Sequence, residues 1–355
     1  MTPAASNNAG RPQAPRTFRF PDFEVSWAGE MPSRPEICVG SEDGRLLFTN
    51  IESGVAQEPI ELTESGEAVN GVAFLPGSLA VSTRSEVVIW KAPEGERTEG
   101  ERSVYDGGAH GVISTPSGVF YAPLGVKGLL AARPQWGDFQ ELRTLRATGR
   151  ALNFYKAAGV GASESGDVLV CAARRDGIVA VVHGPTSGSL NVLSYSGVDV
   201  VDVCQLGLAK LPFAAAALGS NGSIYLIRDV LNDRQPQTLR LGAFRGTAYR
   251  ILVINGHLLL LSSLGIYIFL DVLERFHGGI PPGRRVRFRY SNLQAVDAAA
   301  AFDRWLLVVK PDGSASAIDI QQQPQGNPYS SDSFAPVSQP VWEDGSSLAL
   351  EYAAS

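Results

Sequence analysis

A run of arginines in the second half of the chain has the residue types that bind phosphates or acidic protein surfaces. Residues 284–290 read RRVRFRY, so that Arg285, Arg287 and Arg289 alternate with apolar and aromatic residues. A period of two places the three guanidinium groups on one face of a β-strand. Guanidinium groups bind carboxylates and phosphates through paired hydrogen bonds, so the pattern predicts a partner-binding strand. The alternative is an outer strand whose charges only protect its edge and its solvent face.

Four acidic residues that are far apart in the chain are candidates for a different chemistry. They lie in or beside short apolar segments, and they are Glu24, Asp199, Asp202 and Asp297. If repeated strands bring them to one axis, their carboxylates could hold a divalent cation, as in a metal-dependent hydrolase. The alternative is that they are solvated polar groups of a water-filled channel.

Motifs of the common enzyme classes are missing from the sequence. No GxxxxGK[ST], GxGxxG, HExxH or EF-hand pattern occurs, so phosphate-cradling loops and standard metal sites have no support. Ser163 lies in GASESG, which lacks the GxSxG spacing of a hydrolase nucleophile and is typical of a strand that ends in a turn. The histidines have no metal-ligand spacing and are interpreted as turn or edge residues; they are His110, His183, His257 and His277. We therefore predict no catalytic residues, no metal and no cofactor.

Composition limits the possible folds and partners. The chain has 355 residues, of which 44% are hydrophobic and 19% charged, and it contains 38 glycines and 22 prolines. Glycine and proline at this frequency interrupt long helices, and the hydrophobic content is too high for a disordered chain. The net charge of −6 provides no general positive field, so nucleic acid and membrane are not expected as direct partners. These values favour many short strands joined by tight turns.

Three features bear on the compartment and the source of the protein. Cys38, Cys171 and Cys204 form no CxxC pair and adjoin apolar segments, which favours a reducing compartment, and we expect the cytoplasm. Residues 251–273 are apolar enough to span a bilayer, but Asn-Gly-His and Ser-Ser interruptions favour three buried strands. Arginine accounts for 25 of the 30 basic residues, which indicates a GC-rich genome, and we expect a bacterial source.

A repeat of about 45 residues organises the chain. Each unit contains a β-rich segment, a tight turn and a second β-rich segment. The turn markers are Gly44, Ser85, Val126, Gly177, Gly222, Gly265 and Gly313. Seven units of this period predict an all-β fold, a seven-bladed β-propeller of four-stranded antiparallel blades. An inner strand is predicted upstream of each marker and a more polar outer strand downstream.

The propeller is predicted to occupy residues 17–320, between a disordered tail at 1–16 and a low-complexity tail at 321–355. Either residues 17–20 or residues 347–352 could supply the outer strand of the seventh unit and close the ring, which removes exposed edges. The C-terminal tail regains aromatic residues at Trp342 and Tyr352. These two residues are predicted to dock on a blade or on a partner.

The repeat units resemble the WD40-like β-propeller superfamily over roughly residues 17–320. The Trp-Asp dipeptide that ends the third strand in that family has partial counterparts in Trp90-Lys91, Leu270-Asp271 and Ile318-Asp319. The Gly-His dipeptide expected ahead of the inner strand is missing from every unit, so the chain resembles a divergent member. The resemblance implies a rigid, non-enzymatic platform for protein partners.

The function predicted from the sequence is that of a scaffold subunit of a larger complex. It would bind protein partners on a propeller face or on an outer strand, through the arginines of residues 284–290 or through the C-terminal tail. Two alternatives remain open: a propeller enzyme of the metal-dependent hydrolase or lactonase type with a central-channel site, and a nucleic-acid-associated scaffold.

Overall fold

The computed structural model shows β-strands and turns in the residues that it describes. Those residues are 16–20, 22–30, 36–50, 53, 55–91, 100–135, 137–143, 151–173, 177–184, 193–194, 199–206, 213–228, 230, 237–243, 247–254, 257–262, 265–269, 285–288, 298–302, 305–309, 313–319 and 342–343. Within these ranges no helix has the length and apolar character that crossing a bilayer demands.

The described strands form seven antiparallel sheets, which are numbered in the chain order of their first strands. Sheet 1 contains β2 (Val25–Glu30), β3 (Glu36–Ser41), β4 (Arg45–Asn50) and β5 (Ile60–Glu61). Sheet 2 contains β6 (Gly71–Leu75), β7 (Ser78–Ser82), β8 (Glu86–Lys91) and β9 (Glu101–Asp106). Sheet 3 contains β10 (Ile113–Ser114), β11 (Phe120–Pro123), β12 (Leu129–Arg133) and β13 (Asp138–Leu142). Sheet 4 contains β14 (Phe154–Ser163), β15 (Gly166–Ala173), β16 (Gly177–His183) and β17 (Leu193–Ser194).

The remaining three sheets include both terminal strands. Sheet 5 contains β18 (Val200–Gln205), β19 (Ala215–Gly219), β20 (Ser223–Arg228), β21 (Gln237–Ala243) and β29 (Trp342–Glu343). Sheet 6 contains β22 (Ala248–Ile254), β23 (His257–Ser262), β24 (Gly265–Phe269) and β25 (Arg285–Phe288). Sheet 7 contains β26 (Ala298–Phe302), β27 (Trp305–Val309), β28 (Ser314–Asp319) and β1 (Arg16–Arg19). The apolar segment 251–273 therefore supplies parts of three strands, as predicted.

The sheets follow one another around an axis. The first strand of each sheet contacts the first strand of the next, and β26 of sheet 7 contacts β2 of sheet 1. From that strand, each sheet continues outward strand by strand. Such radial repetition is the arrangement of propeller blades. The prediction of an all-β, propeller-like arrangement of four-stranded antiparallel sheets is confirmed, and sheet 5 carries an additional strand.

Hydrophobic side chains fill the spaces between consecutive sheets. Separate clusters lie between sheets 7 and 1, and between each consecutive pair from sheet 1 to sheet 6. The middle strands are buried along nearly their whole lengths, as β15 and β19 show. Because these strands are covered on both faces, their sequences are continuous apolar runs. This double burial explains the low charged fraction of the chain.

Glycine permits a close approach between β6 and the residues just before β10. A Cβ atom on Gly71 of β6 would lie 2.7 Å from the Val112 nitrogen and 2.9 Å from the Gly111 Cα atom. Real Cβ atoms do not approach other atoms that closely, so a side chain at this position would push sheets 2 and 3 apart. The first segments of these two sheets are therefore crowded at this point.

Four of the turn markers have the backbone conformation that a tight hairpin needs. Gly44, Gly177, Gly222 and Gly313 have φ values between 74° and 85°. This left-handed region is open to glycine at little cost. Gly44, Gly222 and Gly313 lie between the second and third strands of their sheets, and Gly177 is the first residue of the third strand of sheet 4. Each follows an Asp or Asn, and such dipeptides are typical of hairpins.

Both ends of the described chain add a strand to a sheet formed by other parts of the sequence. Strand β1 pairs antiparallel with β28, from Arg16 opposite Ala317 to Arg19 opposite Ser314. It therefore occupies the outer position of sheet 7, where residues 17–20 were one of two expected candidates. The competing segment, 347–352, lies outside the described residues. Strand β29 pairs with the outer strand β21 of sheet 5.

Candidate functional site

A β-bulge recurs at the same place in four of the first strands. The pairing with the second strand shifts by one residue between Val25 and Trp27, Phe154 and Lys156, Val200 and Asp202, and Ala248 and Arg250. In each sheet the bulge lies opposite the last two residues of the second strand. A bulge leaves one residue unpaired and redirects the neighbouring side chains. Trp27, Lys156, Asp202 and Arg250 consequently occupy equivalent positions in sheets 1, 4, 5 and 6.

These four residues line one cavity of about 350 Å³. Sheets 2 and 3 also contribute to its wall, with Asn70 just before β6 and His110 just before β10. The cavity therefore lies in the central channel, near the beginning of the first strands, and six sheets meet there. Its volume is at the lower end of the range for small-ligand sites.

Asp202 is the central polar residue of this cavity. Its side chain is only 6% exposed, and its Oδ2 atom accepts a hydrogen bond from the backbone N–H of Ile251 at 2.9 Å. The bond ties β18 to the neighbouring strand β22. Lys156 on β14 and Arg250 on β22 lie on the strands that flank β18. Asp202 thus belongs to the sheet between the two sheets that carry these basic residues.

The Lys156 side chain is exposed to solvent in the channel, although neighbouring protein partly desolvates its ammonium group. This desolvation lowers the pKa of its ammonium group; the charge of Asp202 opposes the shift and that of Arg250 adds to it. Among the described side chains that line the cavity, two are basic and one is acidic. Basic side chains thus outnumber acidic ones in the described wall of the cavity, in a protein whose net charge is −6.

An aromatic ring and a thiol complete the wall near these charges. The Trp27 ring lies over Gly29, where a Cβ atom would be only 2.1 Å from the Trp27 Cη2 atom. Gly29 thus leaves the space that the indole occupies. Burial raises the pKa of the Cys204 thiol, and Asp202 adds to this shift, so the thiol stays protonated at neutral pH. The site combines a desolvated cationic centre with an apolar flank.

The four acidic residues predicted for the channel are placed differently from one another. Asp202 lines the cavity, whereas Glu24 and Asp199 are exposed residues just before β2 and β18 and are not part of its lining. Asp297 lies outside the described residues. Within the described part of the chain, no three His, Cys, Asp or Glu side chains come together as a metal site would require.

The predicted partner-binding residues lie on outer strands or outside the described ranges. Arg285 and Arg287 are in β25, the outer strand of sheet 6, with Phe269 and Tyr267 opposite them on β24. The outer-strand position expected for this segment is observed. Trp342 pairs with Leu239 through β29. Arg289 and Tyr352 are outside the described residues, and the partner-binding role of the whole set stays a prediction.

Sequence reasoning missed Lys156, Arg250, Trp27 and His110 as channel residues. The weak signal that could have found the first two is a charged residue directly after an aromatic one, as in Tyr155-Lys156 and Tyr249-Arg250, at the start of an apolar inner segment. A bulge has no sequence signature of its own, so the equivalence of these positions becomes visible only through the strand register.

A second polar cluster lies between sheets 3 and 4. Tyr121, Asp167 and His183 are all at most 4% exposed, and the Asp167 Oδ2 atom accepts hydrogen bonds from the Tyr121 hydroxyl at 2.9 Å and from Thr115 at 3.0 Å. Ser117, at the surface, donates a third bond to the same oxygen. The other oxygen, Oδ1, has no hydrogen-bond partner among the described residues.

The proton positions in this cluster follow from its geometry. A carboxylate can only accept, so Tyr121 donates its single hydroxyl proton to Asp167. The His183 Nδ1 atom, 2.8 Å from the Tyr121 oxygen, must then carry a proton and donate it to that oxygen. Burial raises the pKa of Tyr121, and the charge of Asp167 adds to this shift. Burial lowers the pKa of His183, and Arg133 adds to that shift.

The cluster corrects the interpretation of one histidine. His183 was expected to be a turn or edge residue, and it does end β16, but it is buried because its imidazole completes the network with Tyr121. Ser163 ends β14 at a turn, as predicted.

No protein-family model matches the chain, and comparison with curated proteins finds no match.

Proposed function

We propose that the chain is a seven-bladed propeller that serves as a non-enzymatic protein-interaction scaffold in a larger complex. Its partner binds at the end of the disc where the first strands begin and the channel cavity opens. The observation that carries this proposal is the convergence of side chains from six sheets on that cavity, three of them charged and placed by equivalent bulges. A binding residue held by packed strands is positioned more accurately than one on a loop.

The seven-bladed count is supported by the sequence of contacts between first strands. These contacts pass through all seven sheets in chain order and return to the first. The two partners of sheet 7, β1 and β28, come from opposite ends of the ring and close it by strand pairing. Ring closure of this kind leaves no long unpaired edge between the first and last blades.

Kinship with the WD40-like propellers is supported by two of the partial Trp-Asp counterparts. Trp90-Lys91 ends β8 and Ile318-Asp319 ends β28, and both strands are the third of their sheets. We propose a divergent bacterial relative of that superfamily. A cytoplasmic location agrees with three cysteines that form no disulfide, of which Cys38 and Cys171 are buried in the core.

An outer strand is the other surface on which a partner could bind. In β25, Arg285 and Arg287 are two residues apart, a spacing that places two residues on the same face of a strand. The two surfaces make different predictions for charge-reversal variants, and one experiment separates them.

The test is affinity capture with the tagged full chain from a lysate of the cells that encode it. Three forms are compared: wild type, Lys156→Glu with Arg250→Glu, and Arg285→Glu with Arg287→Glu. We expect a stoichiometric protein partner that the wild type and the β25 variant retain and that the channel variant loses. Thermal unfolding of each form checks that it is folded.

Two results would overturn parts of this proposal. Recovery of the chain alone, in every form and also after chemical crosslinking, would refute the scaffold role. Loss of the partner only in the β25 variant would move the binding surface from the channel face to the outer strand of sheet 6.

A further inference from the structure

We propose that the channel cavity is an oxyanion site, in which Lys156 and Arg250 together hold a carboxylate or phosphate group. The inference rests on the proposed function in one respect, because the protein partner would supply the carboxylate or phosphate group. The site itself is argued from the cavity and does not depend on which partner binds.

The first step is the balance of charge inside the cavity. The described residues of its lining include Lys156, Arg250 and one carboxylate, Asp202, so basic side chains outnumber acidic ones there. Asp202 already accepts the backbone N–H of Ile251 at 2.9 Å. Excess charge is costly where protein has replaced water, and a bound anion relieves that cost. An anion is therefore the ligand whose charge the cavity favours.

The second step is the position of the cations. Lys156 and Arg250 follow equivalent bulges on β14 and β22, the two strands on either side of β18. Both side chains line the cavity together with Asp202. Because both residues stand on strands within packed sheets, their backbone positions are already fixed before a ligand binds.

The third step is the chemical match between these groups and an oxyanion. An arginine can hold two oxygens of a carboxylate or phosphate through parallel hydrogen bonds, and a lysine adds a compact charge with three donors. The volume of about 350 Å³ limits the ligand to a side chain or a small molecule. Trp27 on the same wall offers an apolar surface to whatever carries the oxyanion.

A cationic ligand is disfavoured by the same geometry. It would meet two positive side chains for each carboxylate, and desolvation strengthens their repulsion. An anion and a cation therefore predict opposite responses to removal of the Asp202 charge.

The experiment is calorimetric titration of the full chain with sodium phosphate and, separately, with sodium glutarate, at neutral pH and with the ionic strength held constant by sodium chloride. We expect saturable binding of at least one of the two anions. Lys156→Met and Arg250→Met should each weaken it by about tenfold, the effect of one charge-assisted hydrogen bond. Lys127→Met, the same change at an exposed lysine of sheet 3, should leave it unaltered.

The most informative variant is Asp202→Asn, because the direction of its change in anion affinity tests the inference. The amide oxygen can still accept the Ile251 N–H, so the link between β18 and β22 is kept, while the competing negative charge is removed. Anion affinity should rise severalfold. If Arg250→Met does not fold, Arg250→Lys, which keeps the charge but loses the paired hydrogen bonds, should weaken binding to a smaller extent.

The two probes also distinguish the source of the oxyanion. Tighter binding of phosphate supports a phosphorylated ligand, and tighter binding of glutarate supports an acidic side chain. Absence of saturable binding, binding that Lys156→Met and Arg250→Met do not change, or weaker binding in Asp202→Asn would each overturn the inference.

Failure of this inference is distinguishable from failure of the scaffold proposal. A wild-type chain that captures a partner but binds neither anion keeps the scaffold role and loses the oxyanion site. A chain that binds an anion through Lys156 and Arg250 but captures no partner keeps the oxyanion site and loses the scaffold role.

Discussion

Two polar clusters of this molecule contain a buried aspartate, but their surroundings differ. Asp167, between sheets 3 and 4, accepts hydrogen bonds from three hydroxyl groups, and His183 supports the tyrosine among them. Asp202, in the channel, accepts one backbone N–H and lies between two cations that face an open cavity. The first cluster is closed off by packing, and the second presents its charge to a space that a ligand can enter.

The comparison shows how position within a sheet decides what a buried carboxylate does. Asp167 is near the start of a second strand, where the adjacent sheet covers it and supplies donors. Asp202 is on a first strand after a bulge, where the channel leaves room. Buried groups that have found their partners stabilise the fold, and excess charge beside a cavity is available for binding. Variants of the two clusters should therefore differ in whether they affect stability or binding.

Replacing Asp167 should have the largest effect on stability. Asp167→Ala removes the acceptor of the buried Tyr121 hydroxyl, while the Thr115 hydroxyl can still donate to the Val119 carbonyl oxygen. We expect a loss of about 3 kcal/mol in the free energy of unfolding. Urea denaturation measures it, with Asp138→Ala on exposed β13 as the matched control. A loss below about 1 kcal/mol would mean that the network contributes little.

Removing only the tyrosine hydroxyl should have a smaller effect. Tyr121→Phe keeps the ring in the core between sheets 3 and 4 but removes the bridge from His183 to Asp167. We expect a loss of about 1.5 kcal/mol, because the imidazole N–H and the carboxylate each lose one partner. A double-mutant cycle with Asp167→Asn should show coupling; strictly additive losses would contradict a shared network.

The pH dependence of stability should report His183. Its pKa is lowered in the folded protein, so folding favours the neutral imidazole. The unfolded chain binds a proton near the ordinary histidine pKa of about 6.5, so the contribution is complete above that pH and is lost as the pH falls below it. Between neutral pH and mildly acidic pH the wild type should lose up to about 1 kcal/mol more than His183→Gln. Parallel pH profiles of the two proteins would exclude His183 as the titrating group.

The smallest effect on stability is expected in the channel. Lys156→Met removes a desolvated ammonium group and keeps an unbranched apolar stem, while Arg250 remains beside Asp202. The free energy of unfolding should change by less than about 0.5 kcal/mol, even though anion binding is weakened. A loss near that of Asp167→Ala would show that Lys156 is a structural residue and would remove the contrast between the clusters.

Much of the fold could be predicted because it follows from local patterns. Asp-Gly and Asn-Gly dipeptides place hairpin turns such as those at Gly44 and Gly222, and interruptions in the apolar segment 251–273 separate three strands. The alternation in residues 284–290 predicts the outer strand β25. These features are encoded within a few neighbouring residues, which is the distance over which turn chemistry and strand periodicity act.

The candidate site was predicted much less well. Asp202 lines the cavity, whereas Glu24 and Asp199 do not, and Asp297 lies outside the described residues. The basic residues that share the lining with Asp202 were not foreseen. About 50 residues of the chain separate Lys156 from Asp202, and about as many separate Asp202 from Arg250. Nothing local to any of them shows that a bulge will bring them to equivalent positions.

The sequence by itself determined the strands, the turns and the period of about 45 residues, because each depends on short-range chemistry. Only the tertiary structure decided which polar residues meet. The pairing register of each first strand determines which of its side chains enter the channel, because a one-residue shift in register moves a side chain to the other face of the sheet. Four such shifts put Trp27, Lys156, Asp202 and Arg250 into one cavity, whereas the same aspartate chemistry at Asp167 was closed within the core.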